Sequence, residues 1–269
     1  MSRHRRAAVA AFAFLTRLPV STLAAHDAMD LPLGTVYFPI IGLVVAAIGG
    51  SVYTISHFFW DVPLAVVLSI AATVVATGAF HEDALADAFD GFGGGWTRDQ
   101  VLAIMKDSRV GSYALVGLTL TLALKALALV AIATHAEAAN TGPISAAAAF
   151  TRALVAGHVL GRWSSVPLMW RHAYVRPTND ESRPSAGQPF AGGVTLSRLA
   201  IVSLVAFGIL LAMLARQALL PVAVAAVVTV LASRYFGRRL GGVTGDALGA
   251  ANQIVEVCVY LTLAARGPV

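Results

Sequence analysis

The feature that most constrains this chain is a series of apolar runs, each long enough to cross a bilayer and each followed by a short polar connection. A span of about 30 Å takes roughly 20 residues of helix, and inside it every backbone polar group must be satisfied within the segment. Seven such runs are predicted, over residues 33–56, 62–80, 112–134, 144–170, 196–215, 219–235 and 248–265. Composition agrees, with 58% of the 269 residues hydrophobic and 12% charged, where a soluble domain carries about 25% charged residues. The expected fold is all-α: a polytopic integral membrane helical bundle of about seven transmembrane helices, forming one domain over residues 1–269. The opening "MSRHRRAAVAAFAFLTRLPV" has the basic head of a signal peptide but no small-residue cleavage site. Arg17 and Pro19 interrupt it, so a retained, short N-terminal interfacial helix is predicted. Cys258 lies in an apolar run and, as the single cysteine, can form no internal disulfide.

The basic residues sort by side. With a cytoplasmic N-terminus, one set of connections holds Arg3, Arg5, Arg6, Arg17, Arg98, Lys106, Arg109, Arg171, Arg176, Arg183, Arg198, Arg234, Arg238 and Arg239. The opposite connections and the C-terminal tail hold only Arg216 and Arg266. The positive-inside rule then predicts a multi-pass protein of the cell (inner) membrane with an external C-terminus. The net charge of +5 is explained by this sorting; it forms no basic patch with interleaved aromatics, and nucleic acid is not an expected partner.

Against that background the stretch "HEDALADAFDGFGGG", residues 81–95, is anomalous. Asp83, Asp87 and Asp90 are spaced by four and three residues, which on a helix puts them within about 60° of one another. Glu82 lies beside that face. Like charges this close repel unless a cation sits among them, and oxygen-only donors favour a hard ion such as Mg²⁺. A solvated helix end is the plain alternative. The cluster of Gly91, Gly93, Gly94 and Gly95 exceeds what a helix stop needs and suits close approach of backbone amides to phosphate. Arg98, Lys106 and Arg109 follow and can hold phosphate oxygens. His81 ranks below the aspartates as a ligand, since a histidine at a span end commonly serves as an interfacial hydrogen-bonding residue.

A second constellation lies in "GGVTGDALGAANQIVEV". Asp246 and Gln253 share a helical face, and Glu256 falls about 15 Å down the last span. An intramembrane carboxylate is functional by default, while pairing of Glu256 with a buried base, Lys125 or Arg162, is an equally available reading. The predicted topology puts Asp246 on the same side as Asp83, Asp87 and Asp90. Carboxylates, glycines and arginines gathered at one membrane face suit metal-assisted phosphoryl transfer on a diphosphate. No GxxxxGK[ST] is present, which disfavours ATP hydrolysis.

The strings "FLTRLPV", "FHEDALADAFDGFGGG", "IMKDSRVGSYA" and "GGVTGDALGAANQIVE" together resemble the cobalamin synthase, or adenosylcobinamide-GDP ribazoletransferase, family, in order and over nearly the whole chain. The resemblance implies a Mg²⁺-dependent membrane enzyme that joins α-ribazole or its 5′-phosphate to adenosylcobinamide-GDP. Such an enzyme releases GMP and completes the lower nucleotide loop of vitamin B12. By motif, Glu82, Asp83, Asp87 and Asp90 match the acidic string, Lys106, Asp107, Ser108, Arg109 and Gly111 the second, and Asp246 and Glu256 the third. The four acids are expected as metal ligands, and Lys106, Arg109 and Asp246, together with Arg98 from its place just after the glycines, as catalytic groups. Gly91, Gly93, Gly94, Gly95, Asp107, Ser108, Arg162, Arg176 and Glu256 are expected to contact substrate. Gln253 stands where some relatives carry glutamate, which weakens a charged role there.

Two other classes compete. A CDP-alcohol phosphotransferase needs DxxDGxxAR followed by GxxxDxxxD; "DAFDGF" is present, but Gly94 and Gly95 replace the Ala and Arg, and the second pair of aspartates is missing. A cation-coupled transporter should show an inverted repeat and sites near the midplane, whereas these acids gather at one face.

Overall fold

The computed structural model describes residues 2–20, 23, 30–139, 143–175 and 188–265. Over them the fold is all-helical, with no strand beyond one bridge between Tyr174 and Val243. Helix α1 (Arg3–Leu15) is capped by the Ser2 hydroxyl and buries Ala7, Ala10, Ala11 and Leu15. After it come a single turn, α2 (Leu31–Gly34), then α3 (Phe38–Ser56) and α4 (Val62–Thr77). Helices α3 and α4 each carry proline in the first turn, where its missing N–H costs nothing.

The predicted second run ends early. Gly78 (φ 68°) and Ala79 (φ 57°) are both left-handed, and this break turns the chain by 90° into α5 (Phe80–Gly94), which carries the acidic stretch. The Arg17 side chain packs against Gly78, where a Cβ would overlap it, and the Arg17 amide donates to the Ala76 carbonyl at 2.8 Å. The N-terminal segment thus braces the corner that aims the acids.

Helix α6 (Arg98–Met105) starts at a reciprocal capping box of Thr97 and Gln100. Next come α7 (Ser112–Ala138), α8 (Pro143–Arg171), a single turn, α9 (Gln188–Ala191), and α10 (Leu196–Leu214). The chain closes with α11 (Leu219–Leu240) and α12 (Gly245–Ala264). Four stretches are long and apolar enough to cross a membrane: Leu31–Ser56, Ser112–Ala138, Leu196–Leu240 and Gly245–Ala264. The bent pair α4 and α5 makes a fifth if counted as one span. The stretch Leu196–Leu240 is itself broken at Ala215, whose φ is 50°.

Close helix approach is bought by small residues. Gly42 of α3 lies against the His158 backbone of α8, and Gly50 against Thr151, so the two helices run antiparallel. Gly49 sits on Thr73 of α4, and the Ser69 hydroxyl donates to the Gly49 carbonyl at 2.8 Å. Gly249 of α12 meets the Ala84 methyl of α5. At one end of the bundle His57 pairs with Glu137 at 2.7 Å, tying the end of α3 to the end of α7. The opposite end collects α5, α6, the start of α7, the ends of α8 and α11, and the start of α12.

Candidate active site

The predicted four-carboxylate set divides in three, because a helix carries its side chains around its whole circumference and each meets a different neighbour. Asp90 is buried, and its two oxygens accept from the Gly111 amide (2.6 Å) and the Ala114 amide (2.9 Å). It caps the start of α7 and anchors the preceding loop. Glu82, also buried, accepts from the Gln253 amide at 3.0 Å, and its second oxygen has no partner. Asp83 is exposed and Asp87 half-buried. Asp87 lies within repulsive range of Asp83 and Asp90, and the half-buried Asp246 of α12 within repulsive range of Asp87 and Asp83.

Asp246 is aimed by its surroundings. Thr244 caps α12, accepting from the Ala247 amide at 3.0 Å. The Tyr174 hydroxyl accepts from the Gly245 amide at 2.9 Å, and the backbone pairing of Val175 with Val243 fixes the approach. The close contact between Gly249 and Ala84 sets how near α12 lies to α5. The face that results is acidic, oxygen-only and built from two helices far apart in sequence. Its donor chemistry fits a hard divalent cation. Among the described residues no three His, Cys, Asp or Glu side chains already converge tightly enough to hold a metal ion.

The glycine cluster packs neighbouring elements onto α5. Gly91, Gly93 and Gly94 lie inside α5 and Gly95 caps it. A Cβ on Gly91 would strike Met105, one on Gly93 the Tyr113 ring, and one on Gly95 the Val101 backbone. They are contact points that let α6 and Tyr113 pack on α5, and Gly93 stays exposed beside them. Gly94, exposed with only Ile104 nearby, is the least constrained.

The basic residues also separate. The Arg98 Nε donates to the Leu240 carbonyl at 2.8 Å, and Arg239 donates to the Gly95 carbonyl at 2.7 Å. This reciprocal clamp joins the start of α6 to the end of α11, and Arg239 is a positioning residue that sequence reading treated only as a topology signal. In the 106–111 loop Asp107 accepts from the Arg109 guanidinium at 2.5 and 2.9 Å. Arg109 holds the Asp107 carboxyl down at about 2, chiefly through those side-chain bonds. Arg109 remains largely exposed, as are Lys106 and Ser108, so this loop can meet a ligand.

Two expected substrate contacts, Arg162 and Glu256, are not at the surface of the site. Arg162 is 2% exposed and donates to the His158 carbonyl at 3.2 Å. Glu256 is 1% exposed and sits between Lys125 (2.6 Å), His158 (3.0 Å) and the Tyr260 hydroxyl (3.1 Å). This resolves the alternative for Glu256 in favour of pairing with a buried base, Lys125. Gln253 links the network to Glu82 and lies 3.5 Å from the Lys125 Nζ. The isolated charge of Lys125 within an apolar run was the available sequence signal. His81 is buried, and Arg176 lies outside the described residues.

Fold and site together define a class: an all-helical protein with several helices fit to span a membrane and an acidic face with a basic loop at one end of the bundle. The family profile described as Cobalamin-5-phosphate synthase matches residues 7–264, and the chain belongs to that family. It is 38% identical over 257 residues to the adenosylcobinamide-GDP ribazoletransferase of Shewanella frigidimarina (strain NCIMB 400), covering 96% of this chain and 93% of the relative. The protein of the same name from Shewanella amazonensis (strain ATCC BAA-1098 / SB2B) is 37% identical over 254 residues, covering 94% and 92%. That from Shewanella pealeana (strain ATCC 700345 / ANG-SQ1) is 38% identical over 259 residues, covering 96% and 94%. No solved structure matches the chain.

Proposed function

We propose that this chain is an adenosylcobinamide-GDP ribazoletransferase whose chemistry takes place where Asp83, Asp87 and Asp246 face one another. The observation that carries the site assignment is the packing of α12 on α5, where Gly249 meets the Ala84 methyl and Asp246 comes within range of Asp83 and Asp87; Thr244 meets Met105, from which the loop with exposed Lys106 and Arg109 starts. In the reaction a hydroxyl oxygen of α-ribazole, or of its 5′-phosphate, bonds to the cobinamide-linked phosphorus. The bond from that phosphorus to the bridging oxygen breaks, and GMP leaves with the bridging oxygen. In this reading Asp246 takes the hydroxyl proton. Lys106 and Arg109 hold phosphate oxygens, with Asp107 and Ser108 shaping their loop. Asp83 and Asp87 would hold Mg²⁺, which when bound offsets the charge of the diphosphate, with Asp246 beside them left as the base. Glu82 and Asp90, already engaged by Gln253 and by α7, support this set from behind.

The same reading takes the seven apolar runs as seven spans of the cell inner membrane, with the site facing the cytoplasm and lipid around the bundle. Arg98, Lys106, Arg109, Arg171, Arg234, Arg238 and Arg239 all lie toward the site end, as the positive-inside rule requires. A cysteine replacing Trp96 at that end should react with an impermeant maleimide only after cells are permeabilised, and one replacing Phe59 should react before. The reverse pattern overturns the orientation.

The deciding assay incubates purified, folded protein with adenosylcobinamide-GDP, α-ribazole and Mg²⁺. Formation of GMP and a cobalamin product supports the function, and absence of both overturns it. Chelation should stop turnover and added Mg²⁺ restore it; turnover unaffected by chelation overturns the metal assignment.

A further inference from the structure

Outside the candidate active site the structure contains a cavity of about 500 Å³ between the end of α8, the start of α10 and the end of α11. That volume falls within the usual ligand-pocket range of about 300–1,000 Å³. Its floor is apolar, formed by Pro167, Leu168, Leu199 and Val230, and Arg171, Arg234 and Arg238 stand around it. These three arginines are exposed and have no carboxylate partner among the described residues. His172 closes one wall by bonding the Ser233 hydroxyl at 2.7 Å. Trp170, 45% exposed, stands at the rim, where a tryptophan would mark the boundary between hydrocarbon and headgroups.

The cavity is separate from the carboxylate face. On α11, Ser233, Arg234, Gly237 and Arg238 line it, while Tyr235, Phe236 and Arg239 turn the other way, onto Phe92 and Gly95 of α5. At 100° per residue the two groups occupy roughly opposite sides of the helix. An apolar slot with three guanidiniums at its mouth that pair with no carboxylate among the described residues, set between helices of the bundle, is complementary to a phosphate anion carrying hydrocarbon. Guanidinium holds phosphate oxygens in bidentate fashion, and basic pockets between spans hold anionic headgroups.

We infer that this cavity binds the phosphate headgroup of an anionic membrane lipid, with Arg171, Arg234 and Arg238 on the phosphate and an acyl chain along Leu168, Leu199 and Val230. The site fastens the outer side of α11, whose inner side carries the Arg239 clamp.

The test reconstitutes the full chain in an equal mixture of phosphatidylcholine and phosphatidylglycerol and measures co-purifying lipid by native mass spectrometry. Phosphatidylglycerol should be enriched on the protein, and the enrichment should fall about fivefold for each of the three arginines replaced by alanine. Leu199→Trp, which fills the slot and leaves every charge, should also abolish it. Arg5→Ala, a basic residue of the same chain away from the cavity, should not change it. Equal retention of the two lipids, or an equal loss in Arg5→Ala, overturns the site and leaves only a general basic belt. Displacement of the bound lipid by millimolar inorganic phosphate alone identifies a site for free phosphate and overturns the lipid assignment. A thermal melt of each variant separates loss of lipid from loss of fold.

Discussion

Removing the Glu256 carboxylate while keeping its shape, as Glu256→Gln, should be among the most destabilising single changes available in this chain. Lys125 and Glu256 are each 1% exposed, 2.6 Å apart, with His158 and Tyr260 completing the coordination of the carboxylate. After the change the Lys125 ammonium keeps the new amide's carbonyl oxygen and the Gln253 oxygen, 3.5 Å away, as acceptors, but remains a buried charge without a counter-charge. Breaking a buried pair from one side costs about 3–5 kcal/mol, a large share of a typical total of about 5–15 kcal/mol. Removing both charges avoids that cost. In Lys125→Met with Glu256→Gln, the new amide can still serve His158 and Tyr260, so the double variant should recover to within about 1–2 kcal/mol of the native protein. Equilibrium unfolding of all four proteins in one mixed-micelle system, followed by tryptophan fluorescence, gives the coupling directly. A single Glu256→Gln costing under about 1 kcal/mol, or a double variant no more stable than the single one, would refute the reading of this group as an ion pair that locks α12 to α7 and α8.

Three further outcomes follow from the packing. Gly249→Ala should push α12 from α5, where its new methyl meets the Ala84 methyl, and lower GMP release at least tenfold; Ala84→Gly in the same chain should restore it, at about 1 kcal/mol of helix stability. A Gly249→Ala protein with native turnover shows that this spacing does not set the site. Asp90→Asn keeps one acceptor oxygen and turns an N–H toward the other backbone amide, so it should lose about 1–2 kcal/mol while retaining turnover, and Asp90→Ala, which leaves both the Gly111 and Ala114 amides unpaired, should lose more; loss of metal response in Asp90→Asn while the protein is still folded would return Asp90 to the ligand set. Asp87→Asn should abolish product formation with an unchanged melting temperature, and full activity in that variant removes Asp87 from the site.

The periodicity of apolar runs and the clustering of charge were legible because they follow from one-dimensional constraints. A bilayer of fixed thickness demands helices of a minimum length, and a carboxylate in so apolar a chain stands out wherever it occurs. Helices lie over most of the length of these runs, but the second is cut short at Gly78 and Ala79 and four stretches, or five with the bent pair, are long and apolar enough to cross a membrane; the approach of Asp246 to Asp83 and Asp87 follows from which end of the bundle each run reaches. What could not be read was the assignment of each polar group to its partner. The string of residues 81–95 does not distinguish a carboxylate facing another carboxylate from one capping a helix that begins 22 residues after Asp90. Nor does it show that Gly91, Gly93 and Gly95 are spent on Met105, Tyr113 and Val101. The turn at Gly78 and Ala79 rotates α5 across the bundle end, and only that rotation decides which flank of one acidic helix meets α7, which meets Gln253 and which meets Asp246. Sequence by itself determined the solvent, the element type and the inventory of charge; tertiary structure decided the partners, because hydrogen bonds and ion pairs act over about 3 Å between residues whose separation along the chain carries no record of that distance.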